Sequence, residues 1–278
     1  NTAVGHLALG GLTSGAKNVA IGSYTGINIT SGDENVLIGR SAGNNHNSSD
    51  LVAVGTAALA SINNATANGS VAVGHNALTA ITSAAESVAL GYRAGLALTT
   101  GDGNTIIGYD AFKSADGAEG SNVVIGKTAG QSINHDSSAQ NVIIGVGAMS
   151  GGTAQQNNNV AVGYFALGSI GNNAHTGSVA VGSNALGALT EGTGNTALGY
   201  QSADALTTSG YNTVVGYQAL SSEVQGTHNV ALGYQALYSQ NKGSAVVTAN
   251  IGIGVEAGYH NDTGVYNVWL GYKAGTGV

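Results

Sequence analysis

Carboxylates are the residues of this sequence with the widest range of chemistry, since paired carboxylates cleave glycosidic bonds and clustered ones bind metal ions. Most of the 14 acidic residues lie singly in polar loops, and they share no common position. They are Asp33, Glu34, Asp50, Glu86, Asp102, Asp110, Asp116, Glu119, Asp136, Glu191, Asp204, Glu223, Glu256 and Asp262. We expect them to solubilise the loops. A polysaccharide-cleaving pair from neighbouring loops remains an open alternative.

The spacing of the histidines does not indicate a metal site. No two of them have the sequence separation that two metal ligands on one secondary-structure element would have. They are His6, His46, His75, His135, His175, His228 and His260. Gly101-Asp-Gly-Asn104 is similar to part of a calcium loop but lacks the alternating acidic ligands. No serine lies in a nucleophile-elbow motif, and the chain has no cysteine. The sequence therefore predicts no enzyme activity, no bound metal and no cofactor.

A column of tyrosines is the strongest candidate for surface contact. Seven tyrosines each follow a glycine at the same place of a repeated motif: Tyr92, Tyr109, Tyr164, Tyr200, Tyr217, Tyr234 and Tyr272. Such a column could present an aromatic ladder to a glycan or a host surface. The alternative, which we favour, is that each ring covers the seam between adjacent repeats.

Composition excludes several classes of protein. The chain has 46 Gly without Pro or a three-residue period, so it is not collagen-like. Its hydrophobic content of 42% is too high for disorder. The net charge is −7 and no basic stripe occurs, so we expect no nucleic-acid partner. No apolar run is long enough to cross a bilayer, and we expect no membrane insertion of this segment.

One repeat accounts for the whole chain. The motif exemplified by Asn18-Val-Ala-Ile-Gly22 occurs sixteen times, at spacings of 16 to 21 residues. Its second position is Val, Thr or Ile, its third is usually Ala, and its fourth is Val, Ile or Leu. Apolar runs this short, bounded by Asn and Gly, predict strands buried on both faces. The recurring Asn predicts a ladder of hydrogen bonds between repeats.

The fifth position of the motif is Gly in every copy, which predicts a structural corner with positive φ or close backbone approach. Representative corners are Gly22, Gly39, Gly108, Gly126, Gly163, Gly216, Gly233 and Gly271. Ala stands three residues later in most copies and predicts a second inward segment. A unit of this size predicts one coil of a parallel β-solenoid. The expected fold is all-β, with about sixteen coils in a single repeat domain, 1–278.

The small third-position residues indicate contact with other copies of the chain. They point away from the second and fourth positions, and an Ala column on the outer face would expose a long apolar stripe. We therefore expect a homo-oligomer. The alternative is a monomer whose Ala column lies under its own loops.

Trp269 occupies the third position of the last copy, opposite Gly252 in the copy before, and we favour core filling over sugar stacking for this side chain.

The motif resembles a known repeat. Asn18-Val-Ala-Ile-Gly22, Ser70-Val-Ala-Val-Gly74 and Ser178-Val-Ala-Val-Gly182 are similar to the head repeats of trimeric autotransporter adhesins. Related arrays occur in bacteriophage tail fibres and bacterial surface fibres. The resemblance implies a left-handed β-roll with three chains side by side, in an extracellular location on a bacterial surface or a virion. The coils here are longer than those of the usual adhesin head.

The expected function is a structural and adhesive segment of a longer fibre, with a host-cell surface glycan or protein as partner. The first alternative is a phage tailspike that degrades polysaccharide. The second is an ice-binding solenoid with a flat threonine array, but Thr2, Thr105, Thr196 and Thr213 are scattered along the chain.

Overall fold

The structure, a computed structural model, describes residues 1–45, 47–62, 67–241, 243–244 and 246–276. The chain divides into two compact units, Asn1–Gln140 and Asn141–Val278. Each unit is a parallel β-solenoid, and the two together contain about 15 turns. No helix occurs among the described residues. The predicted all-β solenoid is therefore confirmed.

In the described part of the first unit, three-residue strands form one parallel sheet in chain order. The strands are β1 (Thr2–Val4), β2 (Val19–Ile21), β3 (Val36–Ile38), β4 (Val52–Val54), β5 (Val71–Val73), β6 (Val88–Leu90), β7 (Thr105–Ile107) and β8 (Val123–Ile125). Neighbouring strands pair without a shift, so that Ala3 lies beside Ala20 and Ala72 beside Ala89. Equivalent residues of successive repeats are thus in contact.

The described part of the second unit repeats this arrangement and adds a short second ladder. Its strands are β9 (Val142–Ile144), β10 (Gln156–Asn157), β11 (Val160–Val162), β12 (His175–Thr176), β13 (Val179–Val181), β14 (Thr196–Leu198), β15 (Thr213–Val215), β16 (Val230–Leu232), β17 (Ile251–Ile253) and β18 (Val268–Leu270). The two-residue strands β10 and β12 pair with each other, and the rest form one parallel sheet in chain order.

The Ala column faces the interior of the solenoid, which reverses our expectation that it faces outward. From β2 to β17 the middle residue of each three-residue strand is buried, as Ala231 is, while its two neighbours are half-buried or exposed. The interior of a turn is narrow and already holds larger side chains from the return segment, such as Leu220. A small residue stands at the middle position in most strands, and Leu, Ile or Val is buried there in the others. The aliphatic second and fourth positions are left on the outer face.

The predicted asparagine ladder is present. Asn212 is buried, and its Oδ1 accepts hydrogen bonds from the backbone N–H (2.9 Å) and the Nδ2 (3.0 Å) of Asn229. The Nδ2 of Asn212 in turn donates to Asn195 Oδ1 at 3.1 Å and to the carbonyl of Gly226 at 3.1 Å. Each amide thus binds the turn before, the turn after and a loop carbonyl.

The corner glycines have a backbone conformation that other residues rarely adopt. Gly216 has a φ of 140°, and a Cβ at this position would lie 2.2 Å from the carbonyl oxygen of Gly233. A side chain is therefore excluded both by its own backbone and by the next turn. The other representative corners have φ between 118° and 142°: Gly22, Gly39, Gly108, Gly126, Gly163, Gly233 and Gly271.

Trp269 is half-buried beside two glycines of the last turns. Cβ atoms at Gly258 and Gly275 would lie 2.7 Å and 1.9 Å from atoms of its indole ring. The indole therefore fills space that these glycines leave open.

The ladder leads to a prediction for stability. Asn212→Ala leaves the N–H and Nδ2 of Asn229 without their acceptor inside the turn, so it should lower the free energy of unfolding by about 3 kcal/mol. Asn212→Ser should cost less, because a serine in this column keeps an acceptor, as Ser178 does for Asn195. Urea denaturation of both variants measures the difference, and equal stability of Asn212→Ala and the wild type would contradict the role of the ladder.

A buried histidine makes the stability of the second unit depend on pH. His175 is fully buried, its Nε2 lies 2.8 Å from the carbonyl of Thr190, and its Nδ1 has no partner among the described residues. Burial lowers the pKa of His175 below its usual 6.5. The unfolded chain therefore binds the proton more readily, so stability is complete above pH ~6.5 and falls as the pH drops through that value.

Thermal unfolding between pH 7.5 and pH 5.5 checks this expectation. The melting temperature of the wild type should fall with pH, and the fall should be smaller in His175→Gln. His228→Gln is the matched control, because it replaces an exposed histidine of the same unit. A melting temperature of the wild type that does not change over this range would contradict the prediction.

Candidate functional site

The seven predicted tyrosines all lie on the surface, directly after a corner glycine. Their exposed fractions range from 40% for Tyr92 to 73% for Tyr272. The structure brings together two groups of them, one in each unit, and leaves Tyr164 and Tyr272 outside these stacks. Tyr164 instead packs edge-on against Phe165, and Tyr272 lies beside the Lys273 ammonium.

In the first unit, Tyr92 is stacked between residues of the turns before and after it. Its ring lies 5.4 Å from His75 and 5.1 Å from Tyr109, nearly parallel to both. Arg93 places its guanidinium 4.8 Å from the centre of the Tyr92 ring and forms two hydrogen bonds to Asp110, at 2.7 Å and 2.6 Å. The Arg93–Asp110 pair thus joins the same two turns as the Tyr92–Tyr109 stack.

In the second unit, three tyrosines form a continuous stack beside a row of glutamines. Tyr217 lies 5.2 Å from Tyr200 and 5.5 Å from Tyr234, with interplanar angles of 16° and 11°. The adjacent side chains of Gln201, Gln218 and Gln235 are hydrogen-bonded in series, at 2.9 Å and 3.0 Å. Because both faces of Tyr217 are covered, the stack offers ring edges and hydroxyl groups to a partner. This geometry favours the seam-covering interpretation of the column.

A depression of about 270 Å³ lies on the second unit next to this stack. Phe165, Asn184 and Gln201 line it, each two residues after a corner glycine and each with a φ near 50°. Because the repeats stack without a shift, these three side chains from successive turns lie in one row. The remaining lining residues are Ser169, Gly187, Ala188 and Asp204.

Asp204 supplies the acidic group of this depression. Burial raises the pKa of its carboxyl group, while the hydroxyl of Ser221 donates a hydrogen bond to its Oδ1. Phe165 is 40% exposed, so an aromatic surface is available beside the carboxyl and two amides. No motif in the sequence predicts this site; the one signal is that the residue two places after the corner glycine varies widely in type from copy to copy.

The predicted calcium-like loop uses its polar side chains for hydrogen bonds to the backbone. Asp102 Oδ1 accepts from the N–H of Ala85 at 2.7 Å, and Asn104 Nδ2 donates to the carbonyls of Gly101 and Glu119. Among the described residues one acidic cluster forms elsewhere, from Asp116, Glu119 and Asp136. The sequence does not predict this cluster, because its three residues come from two loops of different length. His46 lies outside the described residues.

Comparison of the chain with protein-family models, with curated proteins and with solved structures found no match. In the described part of the chain, no helix is long and apolar enough to cross a bilayer. A function for the chain must therefore be inferred from its own surface.

Proposed function

We propose that the chain is a structural and adhesive segment of an extracellular fibre. In this proposal the stacked turns of each unit form a stiff scaffold, copies of the chain associate through the outer sheet face, and the exposed side surface binds a glycan of a cell surface. Three chains per assembly and a left-handed coil are what the resemblance to adhesin heads implies. The observation that carries the proposal is the uncovered aliphatic face of the sheets.

That face is apolar in both units. In β6 the outward residues Val88 and Leu90 are 38% and 47% exposed, and in β14 the outward Leu198 is 46% exposed. The pattern recurs at successive strands, so these side chains form continuous columns rather than isolated contacts. Soluble monomers rarely leave extended apolar patches in water, whereas interfaces between subunits bury them. A second copy of the same face matches it in chemistry and in spacing.

The same face bears on the ice-binding alternative. Ice-binding solenoids need a flat array of outward threonines, but most outward positions here are Val, Ile or Leu. The outward Thr105, Thr196 and Thr213 interrupt the aliphatic columns without forming an array. This composition favours protein contact over contact with ice.

The adhesive part of the proposal rests on the depression at Phe165. Binding sites for small polar ligands combine an apolar surface with a few polar groups that fix orientation. Here an aromatic ring is accompanied by Asn184, Gln201 and Asp204. A sugar ring presents an apolar face and a rim of hydroxyls, so its chemistry fits this set. A carbohydrate on the surface of a cell is therefore the partner we assign to the depression.

Cross-linking tests the association of copies. The chain has no cysteine, so Leu198→Cys introduces a single thiol on the outer face, and Thr193→Cys is a matched control on an exposed loop of the same turn. If outer faces meet, a short bis-maleimide should link Leu198→Cys chains into covalent dimers and leave Thr193→Cys chains single. Equal linkage in both variants, or none in Leu198→Cys, would contradict the proposed interface.

Glycan binding is tested on an array of bacterial and host carbohydrates. Phe165→Ala should weaken binding about tenfold, which corresponds to ~1.4 kcal/mol for a lost aromatic contact. Gln235→Ala is the control, because Gln235 lies in the same row but does not line the depression. Equal binding by Phe165→Ala and the wild type would contradict the site. New reducing ends in the bound polysaccharide would instead support the tailspike alternative.

A further inference from the structure

The first unit contains a buried carboxylate that faces two others. Glu119 is fully buried, whereas Asp116 and Asp136 are exposed. One carboxylate oxygen from each of the three lies within 4.8 Å of the other two. Three negative charges this close repel one another strongly unless a cation or protons neutralise them.

The asparagine ladder holds the backbone of the two loops that carry the three carboxylates. Asp116 and Glu119 belong to the loop before Asn122, and Asp136 to the corresponding loop of the following turn. The carbonyl of Glu119 accepts a hydrogen bond from Asn104 Nδ2 at 2.7 Å, and Asn122 Nδ2 donates to the carbonyl of Ser138 at 3.1 Å. The cluster therefore sits on a backbone that is held at both loops.

A second buried glutamate, Glu223, receives hydrogen bonds on both of its carboxylate oxygens. Glu223 Oε1 accepts from three backbone N–H groups, those of residues 224, 225 and 226, and its Oε2 accepts from Gln240 Nε2 at 3.0 Å. Glu119 is less well supplied, because the N–H of Gly117 donates to Oε2 at 2.9 Å and the only other group that acts on the carboxylate as a donor, among the described residues, is the backbone N–H of Glu119 itself. Its Oε1 is buried with no hydrogen-bond partner in the described part of the chain. Glu119 thus lacks the donors that a buried carboxylate requires.

No positive side chain compensates this charge in the described residues, where the ion pairs join Lys17 to Glu34, Arg93 to Asp110 and Lys273 to Glu256. The burial of Glu119 also argues against a glycosidase pair within this cluster, because a fully buried carboxyl group cannot reach a polysaccharide.

We propose that Asp116, Glu119 and Asp136 bind one Ca²⁺ ion that links two successive turns of the first unit. Calcium takes oxygen ligands at about 2.3–2.6 Å, so two ligands of one ion can stand up to ~5 Å apart, which fits the separation within the cluster. The buried Glu119 carboxylate, whose Oε1 has no hydrogen-bond partner among the described residues, supplies a ligand from the protein interior. The exposed Asp116 and Asp136 leave the outer side of the ion open to water molecules that complete its coordination.

Gly117 allows the three carboxylates of this cluster to lie close together. A Cβ at this position would lie 1.9 Å from Asp136 Oδ1, so only glycine lets the Asp136 carboxylate come this close to the neighbouring loop. The contact brings Asp136 from the following turn to the loop that holds Glu119. The loop sequence Asp116-Gly-Ala-Glu119 thereby provides two ligands and the space for a third.

Calcium titration of the full chain by isothermal calorimetry, after removal of bound metal with EDTA, tests the proposal. We expect one binding event per chain and a rise in melting temperature on addition of calcium. Asp116→Asn and Asp136→Asn each remove the negative charge of an exposed ligand, and each should weaken calcium binding about tenfold. Asp33→Asn is the matched control, because Asp33 also lies in a loop of the first unit and accepts a backbone hydrogen bond, from Ala16.

Three results would overturn the proposal. The first is no calcium binding by the wild type at millimolar concentration. The second is equal affinity in Asp116→Asn, Asp136→Asn and Asp33→Asn. The third is magnesium binding as tight as calcium binding, which would contradict the assignment of the ion. None of these results depends on whether the chain binds a glycan or associates with other copies.

Discussion

Unshifted parallel stacking is the constraint on which the rest of the structure depends. Each turn places its strand residues and the preceding Asn beside their equivalents in the next turn, so an inward polar group there must be satisfied by a copy of itself or by a loop carbonyl. Asparagine meets this requirement because its amide donates and accepts at the same time. The buried chain of hydrogen bonds through Asn195, Asn212 and Asn229 is the result. The corner glycines follow from the same constraint, since successive turns approach too closely for a side chain at Gly216.

Much of this could be predicted from the sequence, because a repeat shows its columns directly. The strands, the asparagine ladder and the solenoid class follow from the motif at Asn18–Gly22 and its copies. Which side chains of each strand face the interior could not be predicted. Three consecutive apolar residues have no polar face, and the decision depends on the space left by residues such as Leu220, whose φ of 51° turns it inward. That conformation is rare for leucine, and no sequence pattern indicates it.

The candidate sites were harder to predict than the fold, for a related reason. Phe165, Asn184 and Gln201 share a position in the repeat but differ in residue type, so no sequence pattern marks them as a site. Only the structure shows that they line one depression. Asp116 and Asp136 differ even in position, because the loops that carry them differ in length. The stack of Tyr200, Tyr217 and Tyr234, by contrast, was visible as a column, although sequence could not show that its rings cover one another. Features that repeat build the scaffold, and features that break the repeat are where ligands are expected.

We propose that further copies of the chain cover the outward aliphatic columns, of which Leu90 and Leu198 are members. The most direct test is the mass of the protein in solution at micromolar concentration, measured by sedimentation equilibrium. If copies associate in this way, the mass should be a stable multiple of the 27.2 kDa chain, and three copies are expected. A single species of 27.2 kDa that persists across the concentration range would contradict it.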